Sequence, residues 1–185
     1  MKRANHRNRK IALFASFYIA LLLLAGCTIK LGRVSFGYTF TGASIPDNAK
    51  TFSVAYFPNN APMVAPILSS TLTDALRERF SRQTRLSQQD EGGDLAIEGE
   101  IINYVSAPSS YSSADGGTAE LNRLTITVQV RFTNAIEPQW NYNKQFSGYR
   151  DYNASELLQQ VEGSLIQEIV NDLVDDIFNA CVSNW

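Results

Sequence analysis

The sequence predicts an α+β fold: an antiparallel four-stranded sheet with two amphipathic helices packed on one face, in the order β-α-β-β-β-α. Three observations carry this. Leu124, Ile126, Val128, Val130 and Phe132 alternate with Thr125, Thr127, Gln129, Arg131 and Thr133, the period of a half-buried antiparallel strand. Leu158, Val161, Leu165, Ile169, Leu173 and Ile177 recur at helical spacing, widened by Val170, Val174 and Phe178. Leu68, Leu72, Leu76 and Phe80 repeat every four residues, with Asp74, Arg77, Glu78, Arg79 and Arg82 facing away.

The elements follow in order. The first strand is Lys50 to Phe57, where Phe52, Val54 and Tyr56 alternate with Thr51, Ser53, Ala55 and Phe57, both faces being fairly apolar as in an inner strand. Pro58-Asn59-Asn60-Ala61-Pro62 stops it, because proline and asparagine favour turns. The first helix runs from about Pro66, tolerated in a first turn, to about Gln83. Gln88 to Gly93 is polar, ends in two glycines and reads as a loop. Asp94 to Val105 reads as a strand, with Leu95, Ile97, Ile101 and Val105 on one face and Glu98 and Glu100 on the other. Ala107 to Thr118 reads as a long hairpin loop of Pro, Ser, Tyr, Asp and Gly. After the strand around Leu124–Phe132 comes a turn at Glu137-Pro138, then a strand with Trp140, Tyr142, Lys144 and Phe146 on one side, ending near Tyr149. Asn153-x-x-Glu156 nearly matches a capping box and opens the last helix, Ala154 to Val182. Its opposite face, with Glu162, Glu168, Asp172, Asp175 and Asp176, reads as solvated.

Ahead of these elements stands a secretion signal. Lys2, Arg3, Arg7, Arg9 and Lys10 precede an apolar run from Ile11 to Leu24, followed by Ala25, Gly26 and Cys27. The run is shorter than the ~20 apolar residues that a membrane span needs. Leu24-Ala25-Gly26-Cys27 resembles the lipobox of bacterial lipoproteins, in which the cysteine receives diacylglycerol, the Gly26–Cys27 bond is cut and the new amine is acylated. The expected organisation is therefore 1–26 as cleaved signal, 27–45 as a lipidated tether or edge segment, and 46–185 as one α+β domain. Several acyl chains, at about 0.8 kcal/mol per buried methylene, hold a protein to a bilayer without any inserting surface of its own.

Composition narrows function. Beyond residue 26 there remain 11 Lys and Arg against 18 Asp and Glu, a net charge of −7, which opposes general nucleic-acid binding. The single histidine, His6, lies in the signal. Histidine-based nucleophilic catalysis and histidine-ligated metals are therefore excluded after cleavage. Cys27 and Cys181 are the two cysteines, so with Cys27 acylated no intramolecular disulfide is expected. No enzyme, metal or soluble cofactor is expected; the only prosthetic chemistry is the covalent diacylglycerol and N-acyl chain on Cys27.

Candidate contact residues are basic. Arg77, Arg79, Arg82 and Arg85 form the densest cluster, able to meet phosphates or an acidic partner, since guanidinium pairs bidentately with such groups. The alternative is solubility and local pairing, such as Glu78 with Arg82. Arg123, Arg131, Lys144 and Arg150 on the later strands are further candidates. Glu98 and Glu100 share a strand face without other convergent groups.

Longer stretches carry a family likeness. Phe40-Thr41-Gly42-Ala43-Ser44-Ile45-Pro46, Tyr56-Phe57-Pro58-Asn59-Asn60-Ala61-Pro62, Leu72-Thr73-Asp74-Ala75-Leu76-Arg77-Glu78-Arg79-Phe80 and Leu121-Asn122-Arg123-Leu124-Thr125-Ile126-Thr127-Val128 resemble the Bacteroidetes branch of the lipopolysaccharide-assembly lipoprotein family, LptE. The closing Asn184-Trp185 fits too. The resemblance implies an outer-membrane lipoprotein, held on the periplasmic side, that plugs an LptD-like β-barrel translocon, assists its assembly and contacts lipopolysaccharide. Cys27 is the one functional residue it carries over directly. A different reading of the same residues is a lipid or amphiphile carrier with a groove between sheet and helices; a histidine-free hydrolase is the weaker third.

Overall fold

The computed structural model describes residues 45–63, 65–111 and 119–182. The predicted lipid attachment at Cys27, the cleavage at Gly26–Cys27 and the tether up to Ser44 lie outside the described residues. The class is α+β as expected, but the sheet has five strands and is mixed. In chain order these are β1 (Thr51–Val54), helix α1 (Leu68–Gln83), β2 (Ser87–Gln89), β3 (Leu95–Tyr111), β4 (Ala119–Asn134), a 3-10 turn (Pro138–Trp140), β5 (Tyr142–Asn153) and helix α2 (Leu158–Val182).

Two corrections to the expected four-stranded antiparallel sheet both lie at β1. The strand order is β2-β1-β3-β4-β5, and β1 pairs in parallel with both β2 and β3. A helix between two strands returns the chain to its starting end, so the next strand runs parallel. The polar stretch after α1 becomes β2 through one such pairing, with Ser87 N–H donating to the Lys50 carbonyl at 2.8 Å. From β3 onward the sheet is antiparallel, as read.

The long hairpin departs from its reading in a second way. Ala107 to Tyr111, expected in a loop, continue β3, and their register partners run from Arg123 back to Ala119. The register slips between Ile101 and Asn103, and this bulge reverses the inside–outside phase of β3. Tyr104 is therefore buried and Val105 exposed, the opposite of a straight alternation from Leu95. The inward set of β4, Leu124, Ile126, Val128, Val130 and Phe132, is buried as predicted.

Both helices cover the same sheet face. α1 packs over β1, and α2 lies mainly over β5. Leu68, Leu72, Leu76 and Phe80 of α1 meet Ile166, Ile169, Leu173, Ile177 and the inward strand residues in a single core. Phe80 stacks on Phe52 with ring centroids 5.5 Å apart and meets Phe178 edge-on at 5.0 Å. Close approaches need glycine at three places, the tightest being Gly99, where a Cβ would run into the Gln129 carbonyl oxygen. A Cβ on Gly93 would stand 2.5 Å from the Phe52 carbonyl carbon, and one on Gly148 would stand 2.9 Å from Ile169 Cγ2. α2 begins at Leu158, later than read: Asn153 Oδ1 accepts the Ser155 N–H and hydroxyl, an Asx turn ahead of the helix. No helix of the described residues is long and apolar enough to cross a membrane.

Candidate functional site

Because the helices occupy one face, the other face of β3, β4 and β5 is open. Cross-strand partners share a face, so the open side carries Glu98, Glu100, Asn103 and Val105 of β3 beside Arg123, Thr125, Thr127, Gln129 and Arg131 of β4. On β5 it carries Asn143, Gln145, Ser147, Tyr149 and Asp151. Most of these groups are uncharged hydroxyls and carboxamides, and they bond to one another. Thr127 and Ser147 hydroxyls are 3.0 Å apart, and Gln129 Nε2 donates to Asn143 Oδ1 at 2.5 Å. Of the few charges, Arg123 and Arg131 pair with Asp151 and Glu98. Arg123 grips Asp151 with two hydrogen bonds, Nε–Oδ1 2.8 Å and Nη2–Oδ2 2.9 Å, and its guanidinium lies 4.0 Å over the Tyr149 ring. The Asp151 hydrogen bonds raise the Arg123 pKa, and the same bonds hold the Asp151 carboxyl below its usual range.

One depression of about 390 Å³ marks this face where β1 gives way to loop, lined by Tyr56, Glu98, Glu100, Gln129, Arg131 and Asn143 among others. Glu98 and Glu100 do come together there. Each, however, has a partner: Asn60 Nδ2 donates to Glu100 Oε2 at 2.5 Å, and Arg131 stands 3.9 Å from Glu98.

The predicted arginine cluster is dispersed into separate ties. Arg77 reaches back to β1, donating from Nε and Nη2 to the Val54 carbonyl at 3.2 and 3.0 Å. Arg79 bridges to α2, 2.9 Å from Asp175, with its guanidinium 5.1 Å from the Phe178 ring centroid. Arg85 holds the lead-in segment through Asp47 at 2.9 Å and the Pro46 carbonyl. Arg82 alone points mainly to solvent, paired within its own helix to Glu78 at 2.6 Å. Together with Gln83, Gln167 and Asn171, Arg79 and Arg82 line a groove of about 400 Å³ between the helices.

The remaining basic candidates lie on different sides. Arg123 and Arg131 are on the open face, whereas Lys144 and Arg150 are on the helix side, opposite Val130 and Leu124. Arg150 is taken by Glu168 at 2.9 Å and Asp172 at 2.7 Å, which raise its pKa. Those acids, with Asp175, are thus ion-pair partners rather than a freely solvated face. Lys144 has no carboxylate within 4.0 Å among the described residues and rests over the Tyr142 ring at 5.0 Å. A charge pointing to the core side of an edge strand deters pairing with another strand.

Reading the sequence missed a polar cluster at the bulge. The Tyr104 hydroxyl donates to Glu162 Oε1 at 2.5 Å, and the Ser106 and Tyr152 hydroxyls are 2.6 Å apart. Burial pushes the Tyr104 phenol upward, helped by the Glu162 carboxylate. Only the register slip turns Tyr104 inward, so alternation could not reveal it. At the far end, burial pushes the Cys181 thiol up to about 12, against a lowering from Tyr142 hydroxyl contact at 3.1 Å. That thiol is a poor nucleophile. Among the described residues, no group of three His, Cys, Asp or Glu is placed to hold a metal ion.

No curated protein matches the chain in sequence. Among solved structures, the protein CT253 of Chlamydia trachomatis is 9% identical with a TM-score of 0.49, covering 74% of this chain and 100% of that one. The rare lipoprotein B of Shewanella oneidensis is 17% identical with a TM-score of 0.45, covering 69% and 92%. The uncharacterized lipoprotein B of Nitrosomonas europaea is 16% identical with a TM-score of 0.47, covering 70% and 81%. The family model LptE, lipopolysaccharide-assembly, matches residues 49–181, from the start of β1 through the last turn of α2, and the chain belongs to that family.

Proposed function

We propose that this chain is a lipid-anchored outer-membrane lipoprotein that occupies the lumen of an LptD-like β-barrel translocon, assists its assembly and aids lipopolysaccharide export. Family membership over residues 49–181 is the observation that carries this reading. The open sheet face supports it physically: a mostly neutral ladder of hydroxyls and carboxamides suits the polar interior that large barrels present. The anchor is the acylated Cys27, exposed by cleavage after Gly26, and it needs no other membrane-inserting part. The proposed role is binding rather than catalysis: the family is one of lipopolysaccharide assembly, and the chain beyond residue 26 has no histidine for a histidine-activated nucleophile.

Lipopolysaccharide contact falls to the basic groups that the fold leaves accessible. Arg82 is the most exposed arginine of the first cluster, and Lys144 has no carboxylate partner among the described residues, whereas Arg77, Arg79, Arg85 and Arg123 are each held by ties within the domain. An amphiphile carrier needs an open groove between sheet and helices, and here that space is filled by Leu124, Ile126, Val128, Leu173 and Ile177.

Purification of the full-length lipoprotein from native membranes in mild detergent tests the reading. A large β-barrel protein is expected to accompany it in near-stoichiometric amount. Recovery of the lipoprotein free of any barrel rejects the plug.

A further inference from the structure

The open face changes character along its length. Near β1 it is polar, but beyond the bulge Val105 and Tyr149 flank Thr125 in one cross-strand row, and Arg123 and Leu121 follow on β4. Tyr149 is 52% exposed, Val105 38% and Leu121 37%, with no helix or loop of the described residues over them. Such side chains on a bare sheet face invite cover, since water-exposed apolar clusters mark interaction sites.

We infer that this outer half of the face, centred on Tyr149, Arg123, Val105 and Leu121, is a protein-docking surface that receives an uncharged, apolar-to-aromatic segment of the barrel partner. The inference rests on the barrel reading above and adds which surface makes the contact.

Three observations select a protein over a bilayer. First, the chain enters the domain at the other end. Asp47 is held by Arg85, and Lys50 and Thr51 N–H groups bind Asp94 at the start of β3. Val105 lies eleven residues beyond Asp94, one of them taken up by the bulge, so about 33 Å further along at 3.3 Å per residue. The described chain therefore enters the domain at the end remote from the patch. Second, the charge is wrong for an anionic lipid surface, which draws unpaired Lys and Arg. The one cation of the patch, Arg123, is neutralised by a bidentate Asp151. Third, an arginine stacked on an exposed tyrosine, with Val105 and Leu121 near it on the same face, has the composition of a binding hot spot. Because barrel walls are polar inside, the complement is a segment folded into the lumen rather than the wall itself.

Photocrosslinking in cells tests this with the full lipoprotein, placing a photoreactive residue at Tyr149 or Leu121, and at Asn171 in the interhelical groove as a comparison. Adducts with the barrel protein are expected from Tyr149 and Leu121 and at least tenfold fewer from Asn171. In parallel, the double variant Tyr149→Ser with Leu121→Ser is expected to keep its thermal midpoint, both side chains being exposed, yet recover at least tenfold less barrel on purification. If the barrel co-purifies with the natural sequence but crosslinks only from Asn171, or the double variant recovers it fully, this surface is overturned and the barrel reading stands. If no barrel co-purifies, both fall. Adducts at Tyr149 that contain only lipid, or only some other protein, also overturn the assignment.

Discussion

At Asp94 one carboxylate closes the junction of β1 and β3. Its Oδ2 accepts the N–H groups of Lys50 at 2.8 Å and Thr51 at 3.0 Å, and its own N–H donates to Thr51 Oγ1 at 2.9 Å. The Lys50 backbone bond, followed by those from Thr51, lowers its pKa. A carboxyl whose pKa is lower folded than unfolded stabilises above the unfolded value, about 3.9 for aspartate, and loses that contribution as pH falls through the folded value. Asp94→Asn is thus expected to lower the thermal midpoint near neutral pH, with the gap to the natural protein narrowing from about pH 5 downward. Thermal melts across pH 7 to 3 check this, and a pH-independent gap rejects it. None of this was visible beforehand. Asp94 read simply as the first residue of a strand, because the partners of a carboxylate 44 residues away in sequence depend on the parallel return of the chain.

At the level of elements, amphipathic patterns were the legible part. The stripe of α1, the inward set of β4 and the stripe of α2 all pack where their periods placed them. Phe80 sits where those faces converge, between Phe52 and Phe178. Phe80→Ala is expected to destabilise the domain by about 3–5 kcal/mol, the usual cost of emptying a large core site, as read by urea denaturation. A loss under about 1 kcal/mol would mean that the two helices and β1 do not share one core. What escaped were features without a period. β2 has three exposed polar residues and exists because β1 offers it backbone partners. The bulge after Ile101 cannot be seen in alternation, since a single extra residue leaves the same side-chain types on both sides of it.

For the whole molecule, the proposed anchor at Cys27 is tested apart from the domain. Cys27→Ser is expected to remove this protein from the outer-membrane fraction, and mass spectrometry of the natural protein to find acyl chains on an N-terminal Cys27. A mature N-terminus at another residue, without lipid, rejects the anchor. The candidate contact residues were legible only as types. Charge density along the chain grouped Arg77, Arg79, Arg82 and Arg85, but the fold sends three of them to a β1 carbonyl, to α2 and to the lead-in segment. Local order thus sufficed for the amphipathic elements and the family likeness, because each depends on neighbours a few residues apart. Strand direction, the phase reversal at the bulge, the character of the open face and the partners of Arg79, Arg85, Arg123 and Arg150 came from contacts between distant residues. A side chain's partner is set by where its element packs, and no spacing along the chain encodes that.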